Sequence, residues 1–179
     1  MALQIPTALT KTKGTASDSS LLFCLSHLRW NFVFQRPQHL LTRAARTQKV
    51  IYFEEPVYEN VQKPFMRASE PSTNIRVLTP VLPEGTTASE AIALQRSLVD
   101  NALASVQYDK LILWYYTPMA LPFSDHVECD VCVYDCMDEL SAFLGAPREL
   151  VKRERSLLQR ADMVFTGGLS LFRSKRELH

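Results

Sequence analysis

The residues best suited to chemistry lie in one stretch, Ser26-His27-Leu28-Arg29-Trp30-Asn31-Phe32-Val33-Phe34-Gln35-Arg36-Pro37-Gln38-His39-Leu40-Leu41. It holds two histidines, two arginines, a tryptophan and two glutamines. These groups donate and accept hydrogen bonds, carry positive charge, and in histidine exchange a proton near neutral pH. The apolar run Leu21–Leu25 precedes the stretch and reads as a buried strand, and the chain from about Gln35 reads as a helix. In open α/β sheets, ligands bind in the crevice beyond the carboxyl ends of the strands. The stretch is therefore expected to form part of a ligand site.

Other strand ends add candidates to the same rim. Glu54 and Glu55 follow the strand Lys49–Glu54, and Tyr116 and Thr117 follow Lys110–Tyr115. Asp135, Asp138 and Glu139 put three carboxylates into five residues after Val131–Asp135, and such crowding can raise a carboxylate's pKa toward proton-transfer duty. They could equally cap a following helix. Gly167-Gly168-Leu169-Ser170 opens the last helix and offers main-chain N–H groups to an anion, although glycine there also permits a tight bend. His27 and Arg29 could instead brace Glu54 or Glu55, and Trp30, Phe32 and Phe34 suit a core or an interface better than a sugar-stacking platform. With only five glycines and neither G-x-G-x-x-G nor a P-loop, the usual dinucleotide or NTPase site is not expected.

The cysteines Cys24, Cys129, Cys132 and Cys136 include a C-x2-C-x3-C cluster with His126 just upstream. That spacing invites a metal, but zinc sites usually add a second, distant ligand pair, and none is visible. Cys132 and Cys136 sit in or beside an apolar strand, where free cysteine behaves as a small hydrophobe. No metal is assigned.

Positioning these residues requires alternating elements. Strands are expected at Leu21–Ser26, Lys49–Glu54, Asn74–Thr79, Lys110–Tyr115, Val131–Asp135 and Asp162–Thr166, from short β-branched and aromatic runs. Helices are expected at Gln35–Arg46, Thr87–Val106 with Thr87 or Ser89 as N-cap, Pro147–Arg160 with Pro in its first turn, and from the Gly-Gly turn to His179. Residues 1–20 read as a disordered leader, Pro56–Ser72 as a loop and Pro80–Gly85 as a turn. The alternation implies an α/β fold: a mostly parallel, Rossmann-like sheet with helices on both faces.

The totals narrow the class. At 179 residues, 46% apolar and 22% charged, the chain suits one globular domain over 21–179. A net charge of +1 gives no bulk attraction to nucleic acid, so no nucleic-acid partner is expected. No apolar run approaches the ~20 residues that span a bilayer, and no secretory signal core is present. The expected location is cytoplasmic, with the basic runs Lys152-Arg153-Glu154-Arg155 and Arg173-Ser174-Lys175-Arg176 as candidates for peripheral contact at the inner face of the plasma membrane.

The blocks SHLRWNFVFQRPQHLLTRAAR, VIYFEEP, LWYYTPMALPF, VYDCMDELSAF and ADMVFTGGLSLFRSKRELH occur in this order. Together they resemble the N-terminal half of bacterial GT-B glycosyltransferases of the family 1/family 4 type, including the group related to teichuronic acid biosynthesis. The resemblance runs from Leu21 to His179. It implies an acceptor-side Rossmann-like domain facing a cleft, with a C-terminal donor-binding domain that this chain lacks. The implied activity is sugar transfer from a nucleotide-sugar, a co-substrate, to a cell-envelope polysaccharide or lipid-linked acceptor, with no cofactor. A chain carrying the donor domain would be the partner, and the isolated chain is expected to be inactive. His27, Asp135, Asp138 and Glu139 are then expected as catalytic residues. Arg29, Trp30, Glu54, Glu55, Tyr116, Gly167, Gly168 and Ser170 are expected to bind substrate, the last three near the donor phosphate. Where related enzymes often carry a histidine near the transferred sugar, this chain has Asp135-Cys136-Met137-Asp138. A non-catalytic interaction domain or truncated remnant is the alternative, and a nucleotide-sugar epimerase ranks below both.

Overall fold

The computed structural model describes residues 19–142, 144, 145 and 148–179. The expected leader up to residue 18, and Pro147 at the expected helix start, lie outside the described residues.

Eight strands form one sheet: β1 (Ser20–Leu25), β2 (Lys49–Phe53), β3 (Val57–Glu59), β4 (Phe65–Ser72), β5 (Ile75–Pro83), β6 (Lys110–Tyr115), β7 (Val131–Cys136) and β8 (Met163–Thr166). Five helices connect or follow them: α1 (Arg36–Ala44), α2 (Ala88–Ala104), α3 (Leu121–Ser124), α4 (Leu150–Arg160) and α5 (Leu169–Lys175). The strand order is β3-β5-β2-β1-β6-β7-β8, with β4 paired to β5. Every pairing is parallel except β4 with β5.

β1 lies at the centre between β2 and β6. Helical layers cover both of its faces, which is why Leu21–Leu25 reads as an unbroken apolar run instead of an alternation. Side-chain alternation splits this run between two cores. Leu21, Phe23 and Leu25 join residues of α2, α3 and α4, including Val99, Phe123 and Leu157. Leu22 and Cys24 join Leu41 and Ala45 from α1 and the segment just after it, with Trp30, Tyr52 and Tyr116.

The helix signals act as their chemistry dictates. Thr87 caps α2 in a reciprocal box with Glu90, whose carboxylate accepts from the Thr87 N–H at 2.8 Å. α1 begins at Arg36, one residue later than expected, where the Gln35 N–H donates to the Gln38 side chain at 2.9 Å.

Two expectations need correction. The stretch Pro56–Ser72 contains β3 and β4, and β5 runs on through Pro83 where a turn was expected. β4 (FMRASEPS) is an edge strand exposed along nearly its whole length, so it has no apolar alternation to betray it. Pro80 in β5 mimics a strand breaker, yet it falls in the gap between the pairing of β5 with β2, which ends at Leu78, and with β3, which starts at Val81.

Gly167 marks the closest backbone approach. Its N–H donates to the Cys136 carbonyl at 2.8 Å, and a Cβ at this position would lie 2.1 Å from the Met137 carbonyl oxygen. Gly167→Ala should therefore force β8 and the β7 end apart and lower stability by about 2 kcal/mol or more in urea unfolding. A loss under about 0.5 kcal/mol, typical of a surface change, would show that the two segments separate freely.

Candidate functional site

The carboxyl ends of the parallel strands share one rim, and the β1–α1 segment 26–35 folds over it. Three contacts to the buried Glu54 fix its course. The Trp30 N–H donates to Glu54 Oε1 at 2.7 Å, and Arg29 Nη1 and Thr79 Oγ1 donate to Oε2 at 3.0 and 2.7 Å. Arg29 also donates to the carbonyls of Glu55 and Pro56 at 2.6 and 3.3 Å. The Gln38 amide takes the Trp30 carbonyl at 2.7 Å, and the Tyr52 hydroxyl donates to Ser26 Oγ at 2.7 Å. Trp30 is buried and meets the Tyr52 ring edge-on, with centroids 5.0 Å apart. Arg29, Trp30 and Glu54 thus brace the segment, and Trp30 is a core residue.

Beside this brace lies a polar cluster on the α1 face. Asp135 is completely buried at the end of β7. Arg36, at the first position of α1, reaches it with Nε 3.0 Å from Oδ2 and Nη2 3.0 Å from Oδ1. The hydrogen bond that Arg36 donates to Asp135 pushes the Arg36 pKa up against the effect of burial. Tyr116, in the register position next to Asp135, is buried with its hydroxyl turned toward the Asp135 carboxylate. Burial, then the neighbouring Cys24 and Asp135, push its pKa far above the usual tyrosine range. Burial also raises the Cys24 thiol, with Asp135 adding to the shift.

His27 stands where these parts meet. Burial lowers its pKa, opposed by the charge of Asp138 and by a hydrogen bond with the Tyr116 backbone. Its Nδ1 has no partner. A neutral imidazole with a free nitrogen can take a proton from a hydroxyl, but this Nδ1 is buried, so the ring must move before a substrate hydroxyl can meet it. Buried polar groups are normally satisfied. Here His27 Nδ1 and Trp114 Nε1 lack hydrogen-bond partners, as do Gln95 Oε1 and His126 Nδ1 elsewhere among the described residues.

The other predicted residues separate by role. Asp138 is exposed at the rim and acts on His27 through its charge. Glu139 points away to Lys175, whose Nζ donates to Glu139 Oε1 at 2.9 Å and to buried Glu154 Oε2 at 2.8 Å. Burial lowers the Lys175 pKa, but the Glu154 and Glu139 carboxylates prevail and raise it. The Tyr134 hydroxyl completes this network by donating to Glu154 Oε1 at 2.8 Å. Gly167, Gly168 and Ser170 are exposed on the same rim, with the Gly167 N–H already engaged by Cys136. Glu55 faces solvent, yet the protein around it raises its pKa, with Arg29 opposing.

The cysteine cluster is divided by burial. Cys132 and Cys136 are buried, which pushes both thiols up to about 11. Among the described residues, no group of three or more His, Cys, Asp or Glu side chains is placed to hold a metal ion.

Across the sheet from His27, a cavity of about 510 Å³ opens at the same rim. Leu25, Phe53, Ile92 and Phe123 give it apolar walls, and Glu55, Glu149 and Arg153 supply charge. That mixture of apolar walls and a few polar groups characterises small-molecule sites.

Sequence reasoning missed Arg36, the partner that makes Asp135 tolerable inside the protein. Its signal was Pro37, which fixes the helix start and so places residue 36 at the strand ends. Thr79 and Lys175 carry no such signal, because their contacts span 25 and 21 residues or more of sequence.

No family model matches the chain, and no curated protein matches it. Solved structures do. An E. coli trehalose-6-phosphate synthase structure bound with UDP-2-fluoro glucose is similar with a TM-score of 0.52 and 14% identity, covering 80% of this chain and 39% of that one. The apo structure of OtsA gives 0.51 and 15%, covering 82% and 40%. An α,α-trehalose-phosphate synthase (UDP-forming) from Burkholderia xenovorans gives 0.49 and 12%, covering 82% and 38%. These are GT-B glycosyltransferases, and at such identities the likeness shows the fold, a Rossmann-like α/β sheet. The chain spans about two fifths of the length of these structures.

Two outcomes follow from this geometry. In a double-mutant cycle, Glu54→Gln and Arg29→Met should couple by about 1 kcal/mol, discounted for the partly exposed arginine. Coupling near zero would leave Arg29 holding only the carbonyls of Glu55 and Pro56. His27, with a folded-state pKa below its ordinary 6.5, contributes stability that is present above that value and is lost as pH falls through the folded pKa. His27→Gln should flatten urea-measured stability across that acidic window, and an unchanged slope would mean that His27 is not buried as a neutral ring.

Proposed function

We propose that this chain is the acceptor-side domain of a GT-B glycosyltransferase. It would present an acceptor hydroxyl to a nucleotide-sugar held largely by a donor-binding domain. The carrying observation is His27, whose pKa is lowered by burial and whose buried Nδ1 has no partner, near the rim of a Rossmann-like sheet of the kind found in glycosyltransferase structures.

In this proposal His27 accepts the proton of the acceptor hydroxyl. The acceptor oxygen forms its bond to the sugar's anomeric carbon, and the bond from that carbon to the diphosphate breaks. The diphosphate leaves with the negative charge. Arg36 and Asp135 position the β1–α1 segment and the end of β7 around His27. Asp138 supports the imidazolium as it forms. Gly168 and Ser170 stand near the donor diphosphate, where main-chain N–H groups favour an anion. Glu139, braced by Lys175, holds the loop after β7 and is a positioning residue.

The acceptor hydroxyl is proposed to lie at the rim beside His27 and Asp138, residues that do not line the cavity of Glu55 and Arg153. A cell-envelope polysaccharide or lipid-linked glycan, handled by a cytoplasmic enzyme of the teichuronic acid type, is the proposed substrate class. No cofactor is required, because cationic side chains and main-chain N–H groups can stabilise a leaving diphosphate. A second reading, a non-catalytic interaction domain, draws on the exposed apolar Leu144, Leu169 and Phe172.

Calorimetry of the purified chain with UDP-, GDP- and dTDP-sugars, with and without a donor-domain chain, tests the proposal. Binding that requires the second chain is expected and would name the nucleotide. Tight binding by this chain alone would overturn the acceptor-side placement, and no binding in either case would favour the interaction domain. In an active pair, His27→Gln should lower turnover by roughly 10²–10⁴-fold, the usual weight of a general base. Unchanged turnover would remove His27 from the chemistry.

A further inference from the structure

The two basic runs singled out in the sequence make poor docking surfaces. Lys175 is buried and tied to Glu139 and Glu154, and the 152–155 run includes the buried Glu154. A different surface has the composition that those runs lack.

Between residues 19 and 53 the chain contains five lysines and arginines and no aspartate or glutamate. Arg29 and Arg36 are held by Glu54 and Asp135. The remaining three, Arg43, Arg46 and Lys49, are exposed and have no carboxylate partner among the described residues. α1 buries Pro37, Gln38 and Leu41 against the sheet. His39 and Arg43, one turn apart, are exposed, and Arg46 continues the stripe just past the helix end.

At the head of this stripe the segment 31–34 projects into solvent. Phe32 is 77% exposed, Val33 50% and Phe34 62%. The Phe34 ring meets His39 edge-on with centroids 4.6 Å apart, so the apolar tip and the basic stripe are continuous. The tip is also firmly based. On one side, Trp30 is buried and Arg29 is clamped by Glu54. On the other, Gln35 and Gln38 fix the start of α1.

We infer that this face docks on an anionic lipid surface, with Phe32, Val33 and Phe34 entering the headgroup boundary and Arg43 and Arg46 lying against lipid phosphates. Protruding apolar side chains flanked by basic residues without acids match that surface in both hydropathy and charge. A second copy of the chain is disfavoured, because a symmetric contact would bring the same arginines together. A concave protein groove is a poorer match for side chains that project this far. The inference does not depend on the transferase proposal, and either can fail alone.

Sedimentation of the full chain with sucrose-loaded vesicles tests it. Phosphatidylcholine vesicles are compared with vesicles containing about one third phosphatidylglycerol. Binding should require the anionic lipid and weaken with salt. Phe32→Ser/Phe34→Ser and Arg43→Glu/Arg46→Glu should each weaken it on the order of tenfold or more, with the far-UV circular dichroism unchanged. Lys152→Glu/Arg155→Glu should leave it intact. Failure to bind anionic vesicles, equal binding to both vesicle types, or binding that survives both patch variants would overturn the inference. So would loss of binding in the Lys152/Arg155 variant, which would move the contact to α4. Partition to a protein partner with no vesicle binding would also overturn it.

Discussion

The buried carboxylate of Glu54 is the group on which the shape of the rim depends. A segment leaving a central parallel strand has many routes to its helix, and entropy favours none of them. Glu54 selects one by accepting from a main-chain N–H and a guanidinium of the segment itself and from a hydroxyl on β5. A carboxylate taken from water needs such partners to offset its desolvation, so segment and carboxylate stabilise each other. With the route fixed, Trp30 turns inward to Tyr52, His27 comes to Tyr116, and residues 31–34 have nowhere to go but outward.

The same logic operates on the other side of His27. Asp135 could not be fully buried without Arg36, and Arg36 reaches it only because α1 starts at that residue. Glu154, on the buried face of α4, is matched in turn by Lys175 from α5 and by the Tyr134 hydroxyl. Three buried carboxylates thus hold the β1–α1 segment, the end of β7 and the end of the last helix. One buried polar atom left unanswered, His27 Nδ1, sits between those fixed points. An unsatisfied donor or acceptor costs free energy in the resting protein, so its retention in so well-satisfied a neighbourhood favours a ligand or water that completes it.

Legibility from the sequence follows how local each signal is. The six predicted strands are all present, because a buried parallel strand must be apolar along its whole length and is flanked by turn residues. Thr87 was legible as an N-cap because its reciprocal partner Glu90 lies three residues away. β4 was not legible, since a strand exposed on both faces is under no hydropathy constraint. At the site, the residue types at the strand ends were legible but their division of labour was not. Arg29, Trp30, Glu54 and Glu139 look as reactive in sequence as His27 and Asp138. Only the long-range pairings show that the first four are engaged in holding structure.

That division bears on how such a site can change without losing its fold. A residue answering a buried carboxylate cannot be replaced alone, because its loss leaves a charge stranded in low dielectric. His27 is under no such constraint at Nδ1, nor is Asp138 at the exposed rim, and the projecting tip 31–34 contributes no core contacts. The proposed proton transfer, the charge around the histidine and the proposed surface attachment can therefore each vary against a fixed scaffold. The rim of this sheet separates the residues that set its geometry from those that meet other molecules, and the boundary between them runs through the single segment from Ser26 to Arg36.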